Sequence, residues 1–162
     1  MKQASPASAE AGIRATAFVW PREDTSRVPY QVYVDANLYE LEQKGLFQGP
    51  TWNFLCLETE IPHPGDYKNS FVGDAPVVVV RKTDGSISAV VNRCAHKGSV
   101  LCFKLRGNIK EFNCVYHNWV YDLDGKLQGV GFKRGVGGKG GLSPDFEQNQ
   151  HNLQGLRVES YR

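Results

Sequence analysis

Two short cysteine–histidine pairs constrain this chain more than any other feature. The first is Cys94-Ala95-His96 and the second is Cys114-Val115-Tyr116-His117, with residues 97–113 between them. The chain holds only 4 histidines among 162 residues, so an accidental placement of two beside two cysteines is disfavoured. Clustered Cys and His side chains outside a disulfide framework more often serve a metal or a reaction. The candidate metal ligands are therefore Cys94, His96, Cys114 and His117.

The composition is that of one globular domain, with 41% hydrophobic and 22% charged residues. A net charge of +2 carries little information, but no Lys/Arg block of the kind that marks a nucleic-acid-binding tail is present, and we expect no nucleic-acid partner. The longest apolar run, PVVVV at 76–80, is far below the ~18 residues of a membrane span. Glu10 and Arg14 interrupt the Ala- and Ser-rich N-terminus, which therefore does not resemble a secretory signal. We expect a cytoplasmic protein in which residues 1–25 are disordered or loosely docked.

One helix is predicted near the N-terminus, over residues 35–48. Asp35 is a good N-cap, and Leu38 and Leu41 share a helical face to which Leu46 also belongs. Gly49-Pro50 ends the helix.

From residue 51 the pattern changes to short β segments. TWNFLCLE, NSFVG, APVVVVRK, SISAVVN, EFNCVYHNWVYDL and LRVESY are strand candidates, and Asp84-Gly85 and Asp124-Gly125 are hairpin signals. The glycine-rich segment 131–141 lacks the spacing of a phosphate-binding loop and is predicted to be a surface loop. Many short strands and one helix predict an all-β fold, an antiparallel β sandwich or barrel-like structure.

The combination of ligand types within each cysteine–histidine pair indicates which metal centre the pairs would suit. Four nitrogen and sulfur ligands would suit tetrahedral Zn²⁺. Zinc fingers, however, usually take two cysteines from one element and two histidines from another, whereas each half here supplies one of each. A [2Fe–2S] cluster with two chemically different irons suits this mixture, because each of two loop tips can give a thiolate to one iron and an imidazole to the other. The pattern favours iron–sulfur, with zinc as the alternative.

The segments around the two pairs also resemble a known family. IPHPGDY (61–67), NRCAHKG (92–98) and CVYHNWVYDLDGKLQGV (114–130), with the spacing C-x-H-x17-C-x2-H, resemble the Rieske [2Fe–2S] domain of aromatic-ring-hydroxylating dioxygenase large (α) subunits. GFKRGVGGKGG followed by SPDF resembles members that act on aromatic carboxylates such as terephthalate, salicylate and anthranilate. The resemblance covers about residues 26–162. It implies a Rieske-type antiparallel β sandwich with a small cluster-binding subdomain, and a cluster held by Cys94, His96, Cys114 and His117.

Two residues depart from the family pattern, and two others exclude a disulfide. Lys97 stands where the family usually has Arg, and Asn118 stands where it usually has Gly, so hydrogen bonding around the cluster is expected to change. Respiratory Rieske proteins carry a further cysteine in each loop, and the matching positions here are Ser99 and Tyr116. A disulfide between the two loops therefore cannot form. We expect a reduction potential toward the low end of the Rieske range, roughly −150 to +300 mV.

Other candidate residues have simpler interpretations. Cys56 is predicted to be a small buried hydrophobe, and Cys102 is not needed as a fifth ligand. His63 and His151 are predicted to be surface turn residues. Trp119 and Tyr121 either shield the cluster from water or are ordinary core aromatics. The segment 97–113 has an excess of positive charge, which indicates either a docking face for an acidic donor or a solvated surface.

The resemblance implies a relay of single electrons. A ferredoxin or a flavin/iron–sulfur reductase would supply them, and a mononuclear non-haem iron in a separate catalytic domain would receive them. Neighbouring α subunits, and in some enzymes a β subunit, are the other implied partners. No facial triad can be assembled from His63 and His151, so we expect a shortened large subunit that transfers electrons without hydroxylating. The domain would span residues 26–162, with its cluster-binding region at 92–122. The alternatives are a free-standing Rieske ferredoxin and a zinc-stabilised interaction module.

Overall fold

The structure, a computed structural model, describes residues 17–20 and 26–161. The predicted disordered or loosely docked segment, residues 1–25, lies outside the described residues except for 17–20. The chain divides into two compact units, Met1–Trp52 and Asn53–Arg162.

The first unit contains the predicted helix. A 3₁₀ turn, Tyr30–Tyr33, precedes helix α1, Ala36–Glu42. The Asp35 side chain accepts a hydrogen bond from the Leu38 N–H at 2.8 Å, which confirms the predicted N-cap. Leu41 is half-buried as expected, but Leu46 is exposed and does not belong to the apolar face.

The last part of the predicted helix is wound differently. Gln43–Phe47 form a π-helical turn, closed by a 2.8 Å hydrogen bond from the Gln48 N–H to the Gln43 carbonyl. A Cβ at Gly49 would lie 2.3 Å from the Gly45 carbonyl oxygen. Only glycine allows the backbone at residue 49 to come this close to the Gly45 carbonyl, so the helix ends here as predicted.

The second unit is built from antiparallel strands. The strands of its described part are β1 (Asp66–Val72), β2 (Ala75–Arg81), β3 (Ile87–Val91), β4 (Arg106–Asn108), β5 (Phe112–Asn113), β6 (Val120–Tyr121), β7 (Leu127–Gly129) and β8 (Gly155–Leu156). They form a five-stranded sheet in the order β4-β1-β2-β3-β8 and a three-stranded sheet in the order β5-β6-β7. Two 3₁₀ turns, Glu58–Glu60 and Gln148–His151, complete the unit.

Two predicted strands differ from the structure. Residues 51–57 form no strand and run into the 3₁₀ turn Glu58–Glu60. The candidate LRVESY contributes only its first residue to β8, which pairs with β3. Alternating hydrophobicity predicts an extended conformation, but a strand also needs a neighbouring partner, which is a tertiary property.

Both predicted hairpins are present. Gly85 and Gly125 adopt φ values of +85° and +78°, which glycine tolerates. The Asp84 carboxylate accepts from the Ser86 N–H at 2.9 Å, and the Lys82 N–H donates to the Ser86 carbonyl at 2.7 Å. These turns connect β2 to β3 and β6 to β7.

Strand β2 is buried on both faces. Val78 and Val80 pack into the cluster that includes Cys94, Cys114 and Tyr121. The alternate residues Val77 and Val79 pack on the opposite face with Ile61, Ala89 and Val72. The apolar run PVVVV is therefore the centre of the large sheet, and one of its two faces supports the two predicted cysteine ligands. No helix in the described ranges has the length and apolar character to cross a membrane.

Candidate metal centre

The first cysteine–histidine pair lies on a tight loop that follows β3. We call residues 94–99 the first tip loop. The Cys94 N–H donates to the Ser99 carbonyl at 2.7 Å, and the Cys94 carbonyl accepts from the Gly98 N–H at 2.9 Å. Gly98 has a φ of +70°, so glycine allows the chain to turn back directly after His96 and Lys97.

The second pair lies on a loop with the same hydrogen bonds at the same offsets. Residues 114–119, the second tip loop, join β5 and β6. The Cys114 N–H donates to the Trp119 carbonyl at 2.8 Å, and its carbonyl accepts from the Asn118 N–H at 2.9 Å. Asn118 takes the left-handed conformation of Gly98, with a φ of +54°. The large sheet and the small sheet thus each supply one loop of similar build.

The four candidate ligands sort by type in space. Cys94 and Cys114 are 3% and 1% exposed and lie in the same buried cluster, where each is close enough to influence the other. The His96 and His117 rings are neighbours, with centroids 4.6 Å apart. Each half of the sequence motif mixes the two types, but the fold pairs thiol with thiol and imidazole with imidazole.

The chemical state of these groups fits metal ligation. Among the described residues, one buried side-chain nitrogen or oxygen atom has no hydrogen-bond partner, and that atom is His96 Nδ1. Burial, followed by the neighbouring His117, holds the pKa of His96 below its usual value, which favours the neutral ring, the form that binds a metal. An orphaned buried nitrogen is costly unless a ligand satisfies it, and an iron would do so.

The two-by-two arrangement suits a binuclear cluster. Within residues 17–20 and 26–161, no group of three or more His, Cys, Asp and Glu side chains is arranged to hold one metal ion. A [2Fe–2S] cluster with mixed ligands needs only two protein ligands on each iron, two cysteines on one and two histidines on the other. The residues present therefore fit the cluster that the sequence resemblance implies.

Tyr121 and Trp119 line the candidate site. The Tyr121 hydroxyl oxygen lies 3.2 Å from Cys94 Sγ and accepts from the Ala95 N–H at 3.1 Å. Burial raises the pKa of Tyr121 far above its usual range, so the hydroxyl keeps a proton to donate to the sulfur. Trp119 stacks on His96 with a centroid distance of 4.7 Å and an interplanar angle of 6°. Both side chains are buried, at 0% and 3% exposure, and pack against the candidate ligands.

The two imidazoles differ from the thiols in their access to solvent. His117 is exposed and His96 is half-buried. The His117 ring packs against Tyr116, itself 66% exposed, at 3.9 Å. A partner molecule can therefore reach the site at the His117 edge, whereas the thiols are covered by the core.

Asn92 is a structural support that sequence reasoning missed. Its side-chain oxygen accepts from the backbone N–H groups of Leu101 and Cys102 at 3.1 and 2.9 Å. Its amide donates to Asn69 Oδ1 at 3.0 Å and to the Cys102 carbonyl at 2.9 Å. Asn92 lies two residues before the first tip loop and ties the start of that loop to the 101–102 segment. Its position two residues before Cys94 was the only signal in the sequence.

The remaining candidates fall mostly where they were predicted. Burial raises the pKa of Cys102 to about 11, so its thiol is neutral in the core. Cys56 is half-buried among apolar residues rather than fully buried, and His63 is exposed. His151, predicted to be a surface turn residue, is instead half-buried and contacts Trp119 with a ring centroid distance of 5.6 Å. Lys97 is exposed, so the Arg-to-Lys departure lies at the protein surface.

Similar proteins of known sequence are large subunits of aromatic-ring oxygenases. The chain is 52% identical over 98% of its length to the anthranilate 1,2-dioxygenase large subunit of Burkholderia cepacia. It is 46% identical over 86% of its length to the large oxygenase component of salicylate 5-hydroxylase from a Ralstonia species. It is 42% identical, over the same share, to the terephthalate 1,2-dioxygenase α 2 subunit of a Comamonas species. The chain spans 38%, 34% and 34% of these relatives, respectively.

The fold is shared with solved oxygenase structures. Naphthalene 1,2-dioxygenase with indole bound superimposes with a TM-score of 0.71 and 36% identity, over 80% of this chain and 28% of that one. A quaternary ammonium Rieske monooxygenase superimposes with a TM-score of 0.67 and 26% identity, over 82% of this chain and 35% of that one. These likenesses confirm the predicted all-β Rieske fold. The Rieske [2Fe–2S] domain profile matches residues 51–137, and the chain therefore belongs to the Rieske [2Fe–2S] domain family, in the form found in the large subunits of aromatic-ring dioxygenases.

Proposed function

We propose that Cys94, His96, Cys114 and His117 hold the [2Fe–2S] cluster, with the two cysteines on one iron and the two histidines on the other. The observation that carries this assignment is the sorting of the four side chains into a buried thiol pair and a more exposed imidazole pair. The buried, partnerless Nδ1 of His96 supports the same assignment. A cluster bound there would take up and release one electron at a time.

The proposed role of the domain is to relay single electrons. Trp119 and Tyr121 exclude water from the buried side, and the Tyr121 hydroxyl stabilises negative charge at Cys94. The exposed His117 ring gives partners a short approach to the site. We propose that residues 26–162 act as this relay, with 92–122 as the cluster-binding region and helix 35–48 as a lead-in.

The ligand assignment is tested by metal, sulfide and spectroscopic analysis of single variants. The wild-type chain is expected to contain iron and acid-labile sulfide and, after reduction by one electron, to give the electron paramagnetic resonance of a mixed Cys/His cluster. Cys114→Ala and His117→Ala are expected to abolish that signal. Cys102→Ala and His63→Ala, which change the same residue types outside the site, are expected to retain it. Zinc without sulfide in the wild-type chain would contradict the proposal.

We further propose that the parent protein is an aromatic-ring oxygenase acting on an aromatic carboxylate. Three relatives are named for anthranilate, salicylate and terephthalate, all of which are aromatic carboxylates. A ferredoxin or a flavin/iron–sulfur reductase would donate electrons to the His117 side, and a mononuclear iron in a catalytic domain would accept them. The 162-residue chain alone is expected to be reduced and reoxidised without forming a hydroxylated product. Product formation by the chain with a reductase and an aromatic acid would contradict this expectation.

A further inference from the structure

His151 lies at the end of a series of contacting rings that begins at the proposed ligand His96. His96 stacks on Trp119, and the Trp119 ring makes edge contacts with Phe146 at 5.7 Å and His151 at 5.6 Å. The Phe146 and His151 rings also contact each other, with centroids 4.5 Å apart. We call these four rings the ring stack. They lie close in space although residues 96 and 151 are far apart in sequence.

The backbone around His151 is fixed by hydrogen bonds to β7. The Gln148 side-chain amide donates to the Leu127 carbonyl at 2.6 Å, and the Leu127 N–H donates to the Asn152 side-chain oxygen at 2.9 Å. The 3₁₀ turn Gln148–His151 is thus held to the small sheet at both ends. That sheet also carries Trp119 on the second tip loop, so His151 and Trp119 share one rigid support.

The orientation of the His151 ring is fixed as well. His151 Nδ1 lies 3.0 Å from the Glu147 carbonyl, which can only accept, so Nδ1 carries the proton that is donated. With its backbone and its ring both held, the half-buried His151 limits how far Trp119 can move. Trp119 in turn covers one face of His96.

We infer that His151 is a positioning residue that braces Trp119 against His96 and keeps water from the His96 side of the cluster. The inference rests on the proposed ligand role of His96. Two thiolates balance the positive charge of the oxidised cluster core and neutral imidazoles add none, so reduction leaves a net negative charge. Water stabilises that charged state, and a stack that excludes water holds the potential down.

The test compares the cluster-loaded wild-type chain with His151→Ala, His151→Leu and His151→Phe, all measured at the same pH. His151→Ala and His151→Leu both remove the ring, and leucine keeps most of its volume. Each is expected to raise the equilibrium constant for reduction about threefold, which corresponds to ~28 mV for one electron. Each is also expected to lose acid-labile sulfide faster. His151→Phe keeps a ring and is expected to restore both properties.

His63→Ala is the matched control, because His63 is exposed and lies outside the ring stack. It is expected to leave the potential and the rate of cluster loss unchanged. The inference is overturned if His151→Ala and His151→Leu keep the wild-type potential, shift it downward, or are not rescued by phenylalanine. A wild-type chain without iron and sulfide would instead overturn the proposed function, so the two failures can be distinguished.

Discussion

Asn118 stands where the family pattern usually has glycine, and its backbone shows why the exchange is tolerated. Its φ is +54°, in the left-handed region. Asn is the non-glycine residue that most readily adopts this conformation, whereas most L-residues pay roughly 1–2 kcal/mol. The Asn118 N–H also closes the second tip loop onto Cys114.

We therefore expect Asn118→Ala to destabilise the chain by about 1 kcal/mol, a fall of roughly 2–4 °C in Tm. Asn118→Gly is expected to lie close to wild type, because glycine adopts the same φ without strain. Thermal unfolding measures both. Asn113→Ala, an exposed position with an ordinary φ, is the control. Equal destabilisation by alanine and glycine would contradict the role of the left-handed conformation.

Tyr121 is expected to set part of the potential. Its hydroxyl oxygen lies 3.2 Å from Cys94 Sγ. If Cys94 is a metal-bound thiolate, as proposed, the hydroxyl is the donor and stabilises the more negative, reduced state of the site. A hydrogen bond to a charged group contributes about 1–2 kcal/mol here, so Tyr121→Phe is expected to lower the potential by roughly 45–90 mV. A redox titration checks this. Tyr116→Phe removes an exposed hydroxyl and is expected to change little; an unchanged potential in Tyr121→Phe would contradict the prediction.

At the scale of elements, Glu60 connects three parts of the second unit. It belongs to the 3₁₀ turn Glu58–Glu60 and binds Lys68 of β1 at 2.7 Å. It also forms an ion pair with Arg106 of β4. The hydrogen bond from Lys68, followed by that from the Leu57 N–H, lowers the pKa of Glu60 below its ordinary value of 4.5.

A carboxyl whose folded pKa is lowered stabilises the fold above its ordinary pKa, and this contribution is lost as the pH falls through the lowered value. Glu60→Gln is therefore expected to be less stable than wild type at pH 7. The difference should shrink as the pH falls below 4.5 toward the lowered pKa. Tm measured against pH tests this. Glu111→Gln, at an exposed carboxylate, is the control, and a pH-independent difference for Glu60→Gln would contradict the prediction.

Asn92 connects the end of β3 to the segment between the tip loops. Asn92→Ala leaves the buried N–H groups of Leu101 and Cys102 without their acceptor. We expect a loss of about 2–4 kcal/mol in the free energy of unfolding, since each unsatisfied buried group costs roughly 1–3 kcal/mol. Chemical denaturation measures it. Asn149→Ala, at an exposed position, is the control. An effect of Asn92→Ala as small as that of the control would contradict the structural role of the Asn92 hydrogen bonds.

At the scale of the whole molecule, few hydrogen bonds are directed at the thiols. Among the described residues, the polar neighbours of the Cys94 sulfur are the Tyr121 hydroxyl, at 3.2 Å, and the His96 backbone N–H. The four described cysteines are free, so no disulfide joins the two tip loops. Each hydrogen-bond donor to a ligand sulfur stabilises the reduced state of a cluster. A site with few such donors therefore has a less stable reduced state.

The loaded domain is therefore expected to titrate in the lower part of the Rieske range, which spans roughly −150 to +300 mV. A potentiometric titration of the wild-type chain measures this value directly. A midpoint above about +75 mV, the centre of that range, would contradict the expectation.

The parts of the fold that local chemistry controls could be predicted from the sequence. Asp35 caps α1, Gly85 and Gly125 form the hairpins, and the apolar run at 76–80 is a buried strand. The strand predicted at 51–58 was wrong because extended residues become a strand only beside a partner. The exposure of Leu46 was likewise not fixed by its helical spacing.

For the candidate site, the sequence by itself determined which four residues are available, because the spacing of Cys94, His96, Cys114 and His117 is a local chemical pattern. Only the tertiary structure decided how they pair, since the two tip loops come from different sheets and meet when those sheets pack. Packing also brought Tyr121 to Cys94 and His151 to Trp119. Contacts between residues so far apart in sequence depend on which surfaces the core buries together. No local pattern records that information, which is why His151 was assigned to the surface.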